Sequence, residues 1–235
     1  MISSSEVCTV ASYNETVKKA WAWIDERTGI LEWFRIEIRE KRAPKHRGIM
    51  DFFGCFGGLS FVLLIIQVLS GVVLLAFYVP HPDFAYKSVV HLTSEVPQGW
   101  LLRRIHVSCA SFLVVMILIH MLRVFYSQAY KSPRELHWIS GVFLFLLILA
   151  MNFTGYLLPW SELSYWATTI SLSALESLPL FGKTLALMAG GGTNITAVTL
   201  GRFYLFHVAV IPMITAGLLL THFIMIRKTG ISRPL

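Results

Sequence analysis

Long apolar stretches separated by short charged ones run through most of the chain. Four of them, residues 52–79, 104–126, 138–158 and 202–226, are long enough to cross a hydrocarbon core of ~30 Å, which takes ~20 helical residues. They predict an all-α membrane protein, a four-transmembrane-helix bundle. The first 50 residues differ in kind: Lys, Arg and Glu recur throughout and no apolar signal-type segment is present, so this N-terminus is expected to be retained. Within it Trp21, Ile24, Ile30, Leu31 and Phe34 interleave with Lys18, Lys19, Asp25, Glu26 and Arg27. That pattern suits an amphipathic helix on the lipid headgroups, and equally a solvated arm against a partner subunit. The expected organisation is an arm over 1–51, a membrane domain over 52–226 and a tail over 227–235.

The connection over 160–201 is too long for a simple turn and carries Trp160, Trp166, Leu172, Leu175, Leu178, Pro179 and Leu180. It predicts one or two short helices at the membrane surface, broken near Pro179. Gly190, Gly191 and Gly192 follow and are expected to form a flexible joint. They are not a phosphate loop, because no Gly-Lys-Ser/Thr comes after them.

Composition agrees: 55% of the 235 residues are hydrophobic, only 14% are charged, and the mean hydropathy is +0.65. An ordinary soluble enzyme carries about 25% charged residues, so that class is excluded along with disordered and collagenous chains. The net charge of +7 would suggest nucleic acid on a soluble domain, but its distribution argues for topology instead. Fifteen of the 20 Lys and Arg fall in the N-terminal arm, the connection between the second and third spans with Arg123 at the adjoining end of the second span, and the tail. Those segments are therefore expected on the cytoplasmic side, with both termini, and no nucleic-acid partner is expected. The second and fourth spans then run in the same direction. Cys8, Cys55 and Cys109 are too few and too scattered for a disulfide framework, and no CxxC is present.

Of eight histidines, His46, His81, His91 and His137 fall in polar connections, where a solvated side chain is expected. The other four lie inside spans, His106 and His120 in the second and His207 and His222 in the fourth. Ring nitrogens there are costly unless partnered, which makes each a functional candidate. A lone intramembrane histidine is more often a satisfied polar residue or a proton relay. Fourteen residues separate the first pair, ~21 Å of helix that ends within ~40° of the starting face; fifteen separate the second, ~22 Å ending within ~60°. Two parallel helices so spaced set His106 opposite His207 near one surface and His120 opposite His222 near the other. Two six-coordinate haems require that arrangement. Zinc is a poorer match, since pairs ~20 Å apart cannot share an ion.

Flat macrocycles between helices need close backbone approach. Gly57 and Gly71 on the first span and Gly141 and Gly155 on the third repeat the 14-residue period, although small residues also serve plain helix packing. Arg103 and Arg104 precede His106 and are placed either to meet haem propionates or to snorkel at a helix end.

The ordered blocks Cys55-Phe-Gly-Gly58, Ile66-Gln-Val-Leu-Ser-Gly71, Arg103-Arg-Ile-His106, Pro133-Arg-Glu-Leu136, Gly155-Tyr-Leu-Leu-Pro-Trp160, Arg202-Phe-Tyr204 and the segment from His222 to Leu235 make the chain resemble the cytochrome b6 family. That family comprises the haem-bearing N-terminal half of the cytochrome b of b6f-type and bacterial quinol:cytochrome c reductase complexes. The resemblance covers about residues 23–235. It implies axial ligation of an outer haem b by His106 and His207 and of an inner haem b by His120 and His222. Mitochondrial-type relatives have 14 residues between the histidines of the fourth span and continue through eight spans, whereas the b6 type has 15, as here.

By composition Cys55 is a small buried hydrophobe. Its match to the single cysteine of the family implies instead one thioether to a third haem, a covalent haem c, with Arg227 placed to meet a propionate. The resemblance further implies an outer quinol niche at Tyr156, Pro159 and Trp160, an inner quinone site and transmembrane electron transfer in a Q-cycle. The partners implied are a Rieske iron-sulfur protein, a subunit IV-like C-terminal half, a c-type cytochrome subunit and membrane lipid, in a homodimeric complex of a bacterial cytoplasmic membrane or thylakoid. Ser161 stands where the family usually has Asp, and Asn152 adds a polar group to the third span; both are expected to bear on the outer site. Two other classes remain open at this point: a dihaem membrane anchor without a Rieske partner, and a non-redox transporter or structural subunit.

Overall fold

The computed structural model describes residues 4–28, 56–191 and 194–230. Among these residues every regular element is helical. They are α1 (Ser4–Thr28), α2 (Phe56–Leu75), α3 (Ala85–Ser94), α4 (Gly99–Tyr126), α5 (Glu135–Leu157), α6 (Glu162–Glu176), α7 (Gly182–Gly190) and α8 (Ala197–Thr229). Four of them, α2, α4, α5 and α8, are long and apolar enough to cross a membrane. In hydrocarbon no water satisfies backbone N–H and C=O groups, so uninterrupted helices are what such sequences must form.

The spans pack in a ring. Helix α2 lies against α4, α4 against α5, and α5 against α8. Phe61 and Phe223 close the ring between α2 and α8 edge to face at 5.1 Å, and beyond the far end of α2 Tyr78 stacks on Tyr204 at 5.7 Å. The histidine-bearing helices α4 and α8 are thus diagonal partners and are not among the closely packed pairs. Many large apolar side chains of the spans are exposed, as expected of surfaces that face lipid or other subunits.

Helix α8 begins at Ala197, earlier than hydropathy alone suggests, because Thr196 and Thr199 form a reciprocal cap. It is also not uniform: Phe206–Val210 is a π turn, followed by Ile211–Thr229 with Pro212 near its start. A proline lacks the N–H of a regular α ladder, and a π turn inserts one residue at such a break. That insertion corrects the ~60° mismatch expected for a uniform helix between His207 and His222, since 15 residues with one in a bulge keep the register of 14.

Between α5 and α8 the chain forms α6 and α7 with Pro179 between them. Ser161 caps α6 through a box with Ser164, a role that Asp fills equally well, and Asn152 donates to Ile148 O of its own helix at 2.9 Å. Neither residue's observed bonding sets it apart as a ligand group. The expected glycine joint is corrected as well. Gly191 has φ +80° and ends α7 in the left-handed conformation, and Thr199 donates to Gly190 O at 2.6 Å. Arg202 adds a bond to Met188 O at 2.8 Å, so Gly190 and Gly191 form a pinned cap; Gly192 lies outside the described residues.

Helix α1 meets the bundle at the end carrying the α4–α5 connection and the end of α8, here called the basic end. Arg27 is buried over the Trp23 ring, 4.3 Å from its centre, and donates to Glu135 at 3.3 Å. Lys228 donates to Asp25 O. Ile30, Leu31, Phe34, His46 and Cys55 lie outside the described residues.

Candidate functional site

Each intramembrane histidine is set against one glycine of a neighbouring helix. A Cβ added at Gly57 would lie 2.9 Å from His120 Cε1; at Gly71, 3.2 Å from His106 Cε1; at Gly141, 3.8 Å from His222 Cε1; and at Gly155, 2.6 Å from His207 Cε1. The pairing is crossed in sequence, the first glycine of each helix meeting the second histidine of the next. Crossed pairing requires α2 to run antiparallel to α4, and α5 antiparallel to α8.

The structure brings His106 and His207 together with ring centres 6.3 Å apart. One metal ion bonded at ~2 Å to a nitrogen of each ring would hold the centres about 6 Å apart. At the basic end His120 and His222 lie within electrostatic reach of one another. All four side chains are half-buried.

Separation alone does not define a ligand pair, because His137 also stands 6.4 Å from His222. Here the expectation of a solvated His137 is corrected: it lies in the first turn of α5, half-buried, with Nε2 engaged by Thr229 Oγ1 at 3.0 Å. His81 and His91 are exposed.

Three of the four ligand candidates are distinguished by the state of their Nδ1 atoms, and His120 is set apart from His137 by the glycine its ring meets. His106 Nδ1 lies 2.9 Å from Ser70 Oγ, His222 Nδ1 2.7 Å from Ser140 Oγ, and His207 Nδ1 3.4 Å from Thr154 Oγ1 and 3.0 Å from Met151 O. Each hydroxyl directs its own proton to a carbonyl of its helix: Ser70 to Ile66 at 2.6 Å, Ser140 to His137 at 3.0 Å, Thr154 to Ala150 at 2.9 Å. A hydroxyl so engaged offers only lone pairs, so the imidazole Nδ1 must carry the proton, and the Nε2 lone pair is left for a metal. Sequence reasoning missed these hydroxyls. The signal was there, a Ser or Thr immediately before three of the four periodic glycines.

Among the described residues no group of three or more His, Cys, Asp or Glu gathers as a multidentate metal site. Imidazoles carried by two diagonal helices, three of them with Nε2 left for a metal, and a glycine of a neighbouring helix set against each ring fit haem.

Of the remaining candidates, Arg103 is half-buried one turn before His106, and Arg227 is exposed at the end of α8. Tyr156 is half-exposed at the far end of α5. Pro159 and Trp160 form the turn after α5, where Trp160 has φ +50° and packs against a core of Leu157, Ile195 and Phe203. Tyr78 fixes that turn by donating to Leu158 O at 2.7 Å. Burial, and then the neighbouring Tyr204, push the Tyr78 phenol above its ordinary pKa, so it stays a donor.

A bundle of four membrane spans with crossed glycine–histidine contacts on two helix pairs defines a membrane cytochrome of the b class. The sequence matches the family described as Cytochrome b/b6/petB over residues 40–230, and the chain belongs to that family. It is 44% identical over 213 residues to cytochrome b6 of Heliobacterium modesticaldum, covering 91% of this chain and 99% of that one. It is likewise 44% identical over 224 residues to the menaquinol:cytochrome c reductase cytochrome b subunit of Bacillus subtilis, covering 93% of this chain and all of the other (100%). Among solved structures, a chain of a hyperthermophilic respiratory Complex III superposes with a TM-score of 0.73 at 36% identity. That match takes in 91% of this chain and 56% of the other, so this chain spans about half of its length. Membership of the family carries haem b binding with it.

Proposed function

We propose that the chain is the b6-type subunit of a quinol-oxidising bc or b6f-like complex and carries electrons across the membrane between two haem b groups. His106 and His207 hold the outer haem and His120 and His222 the inner one, each through Nε2. The observation that carries this reading is the meeting of His106 and His207 at 6.3 Å, each backed by its own glycine. When bound, the haems supply reversible one-electron chemistry.

The protein's part is to hold four imidazoles, exclude water and fix the distance between the pairs. Each charge moved against 100 mV represents ~2.3 kcal/mol, so two cofactors stacked across the bilayer couple a redox drop to membrane voltage. The basic end, rich in Lys and Arg, is cytoplasmic, and both termini lie there. Quinol binds at the opposite end near Tyr156, Pro159 and Trp160, on the turn that Tyr78 latches, and quinone is reduced at the basic end, completing a Q-cycle. Arg103 and Arg227 serve propionate groups, and Cys55 forms a thioether to a haem c beside the inner pair. The chain works with a Rieske iron-sulfur protein, a C-terminal cytochrome b half and a c-type cytochrome, in a homodimeric complex; the B. subtilis relative is named for menaquinol and cytochrome c.

Haem analysis of the purified complex tests this. Two extractable b haems per chain and one that remains on the polypeptide in a denaturing gel are expected. His207→Ala removes one b haem and keeps the other, and Cys55→Ser removes only the covalent group. Protein free of haem overturns the whole reading; two b haems without a covalent one overturn the Cys55 assignment alone.

A further inference from the structure

Three hydroxyl–glycine dipeptides occupy corresponding positions: Ser70–Gly71, Ser140–Gly141 and Thr154–Gly155. In each, the glycine admits the histidine ring and the preceding hydroxyl meets Nδ1 of that ring. The fourth dipeptide is Phe56–Gly57, and its histidine, His120, has a buried Nδ1 with no hydrogen-bond partner. The only nearby hydroxyl on α2, Ser60, donates to Phe56 O at 2.9 Å.

We infer that Ser70, Ser140 and Thr154 are positioning residues for the imidazoles of His106, His222 and His207, and that Phe56 leaves His120 as the one ligand without such an anchor. The inference rests on the haem reading above. A partner that accepts the Nδ1 proton fixes the tautomer and the ring's rotation, and makes Nε2 a stronger donor. Stronger donors stabilise ferric iron and lower the reduction potential. The outer site therefore has both ligands anchored and the inner site one, and this chain supplies by itself a bias toward a higher inner potential. Such a bias favours electron flow from the outer to the inner end. The anchors are graded by distance: Ser140 at 2.7 Å, Ser70 at 2.9 Å, and Thr154 at 3.4 Å with Met151 O sharing its imidazole.

Potentiometric titration of the two b haems in the purified complex, with electron paramagnetic resonance of the oxidised form, tests the inference. Ser140→Ala is expected to raise the inner potential and leave the outer unchanged, with inner-haem affinity falling about tenfold. Ser140→Thr restores both. Ser70→Ala raises the outer potential by more than Thr154→Ala. Phe56→Ser adds the missing hydroxyl and lowers the inner potential, which keeps a readout should Ser140→Ala fail to assemble. Unchanged potentials and resonance positions in both Ser140→Ala and Phe56→Ser, with two b haems present, overturn the positioning role. Absence of any low-spin haem signal in the unsubstituted complex overturns the haem reading itself.

Discussion

The ring of His207 stands so close to Gly155 that a Cβ there would lie 2.6 Å from Cε1, whereas His222 leaves 3.8 Å at Gly141. Corresponding glycines on one helix therefore do different work. A contact of 2.6 Å cannot be accommodated without moving the ring, and 3.8 Å is ordinary van der Waals distance.

Alanine substitution at the four glycines should accordingly be graded. Gly155→Ala is expected to displace His207 at an overpacking cost of ~1–3 kcal/mol and to lose most of one b haem. Gly57→Ala follows, then Gly71→Ala, while Gly141→Ala retains both haems. Haem-to-protein ratios across the four variants check the order, and equal losses at Gly141 and Gly155 would contradict it.

The π turn at 206–210 predicts a deletion that is tolerated. Removing Ala209 converts the bulge to regular α-helix and leaves 14 residues between the fourth span's histidines, the spacing that already works on α4. Both haems should remain. Removing one residue between His106 and His120, for instance Val114, rotates one histidine by ~100° relative to the other and should cost a haem. Absorption spectra of the two deletion variants distinguish them.

Tyr78→Phe removes the bond to Leu158 O that holds the turn before Trp160. One hydrogen bond is worth ~1 kcal/mol, so quinol oxidation should lose about fivefold in kcat/KM. Haem content and potentials should not change. A variant with normal kinetics would separate this latch from the quinol niche.

At the basic end, Arg27→Ala should release α1 from α5, because Arg27 is buried between Trp23 and Glu135. Trypsin then cuts at Lys18 or Lys19 at lower protease concentration, with haem content unaltered. Adding Glu135→Gln should have little further effect, since the two residues share one contact.

Much of this was readable in the chain. Apolar runs of ~20 residues admit no other solution in a bilayer, so the four spans follow from hydropathy, and the intramembrane histidines stand out because unpartnered polar groups are rare there. The glycine period was readable too, but not which glycine meets which histidine, since that depends on helix direction and packing order. His137 shows the limit of local reading. Its sequence neighbours Arg134 and Glu135 mark a polar connection, yet Thr229, 92 residues away, engages its ring. Arg202 likewise reads as a generic cation near a helix start, and only the fold takes it to the carbonyls that end α7.

The sequence by itself determined the spans, the histidine periods and the bias of positive charge, because each follows from interactions within one helix or between one helix and its solvent. Tertiary structure alone decided the crossed glycine pairing, the tautomer that leaves Nε2 free, the π turn's absorption of the extra residue and the orphaned Nδ1 of His120. Those depend on what a neighbouring helix presents at 3 Å, a distance at which one residue of register or one hydroxyl changes the chemistry.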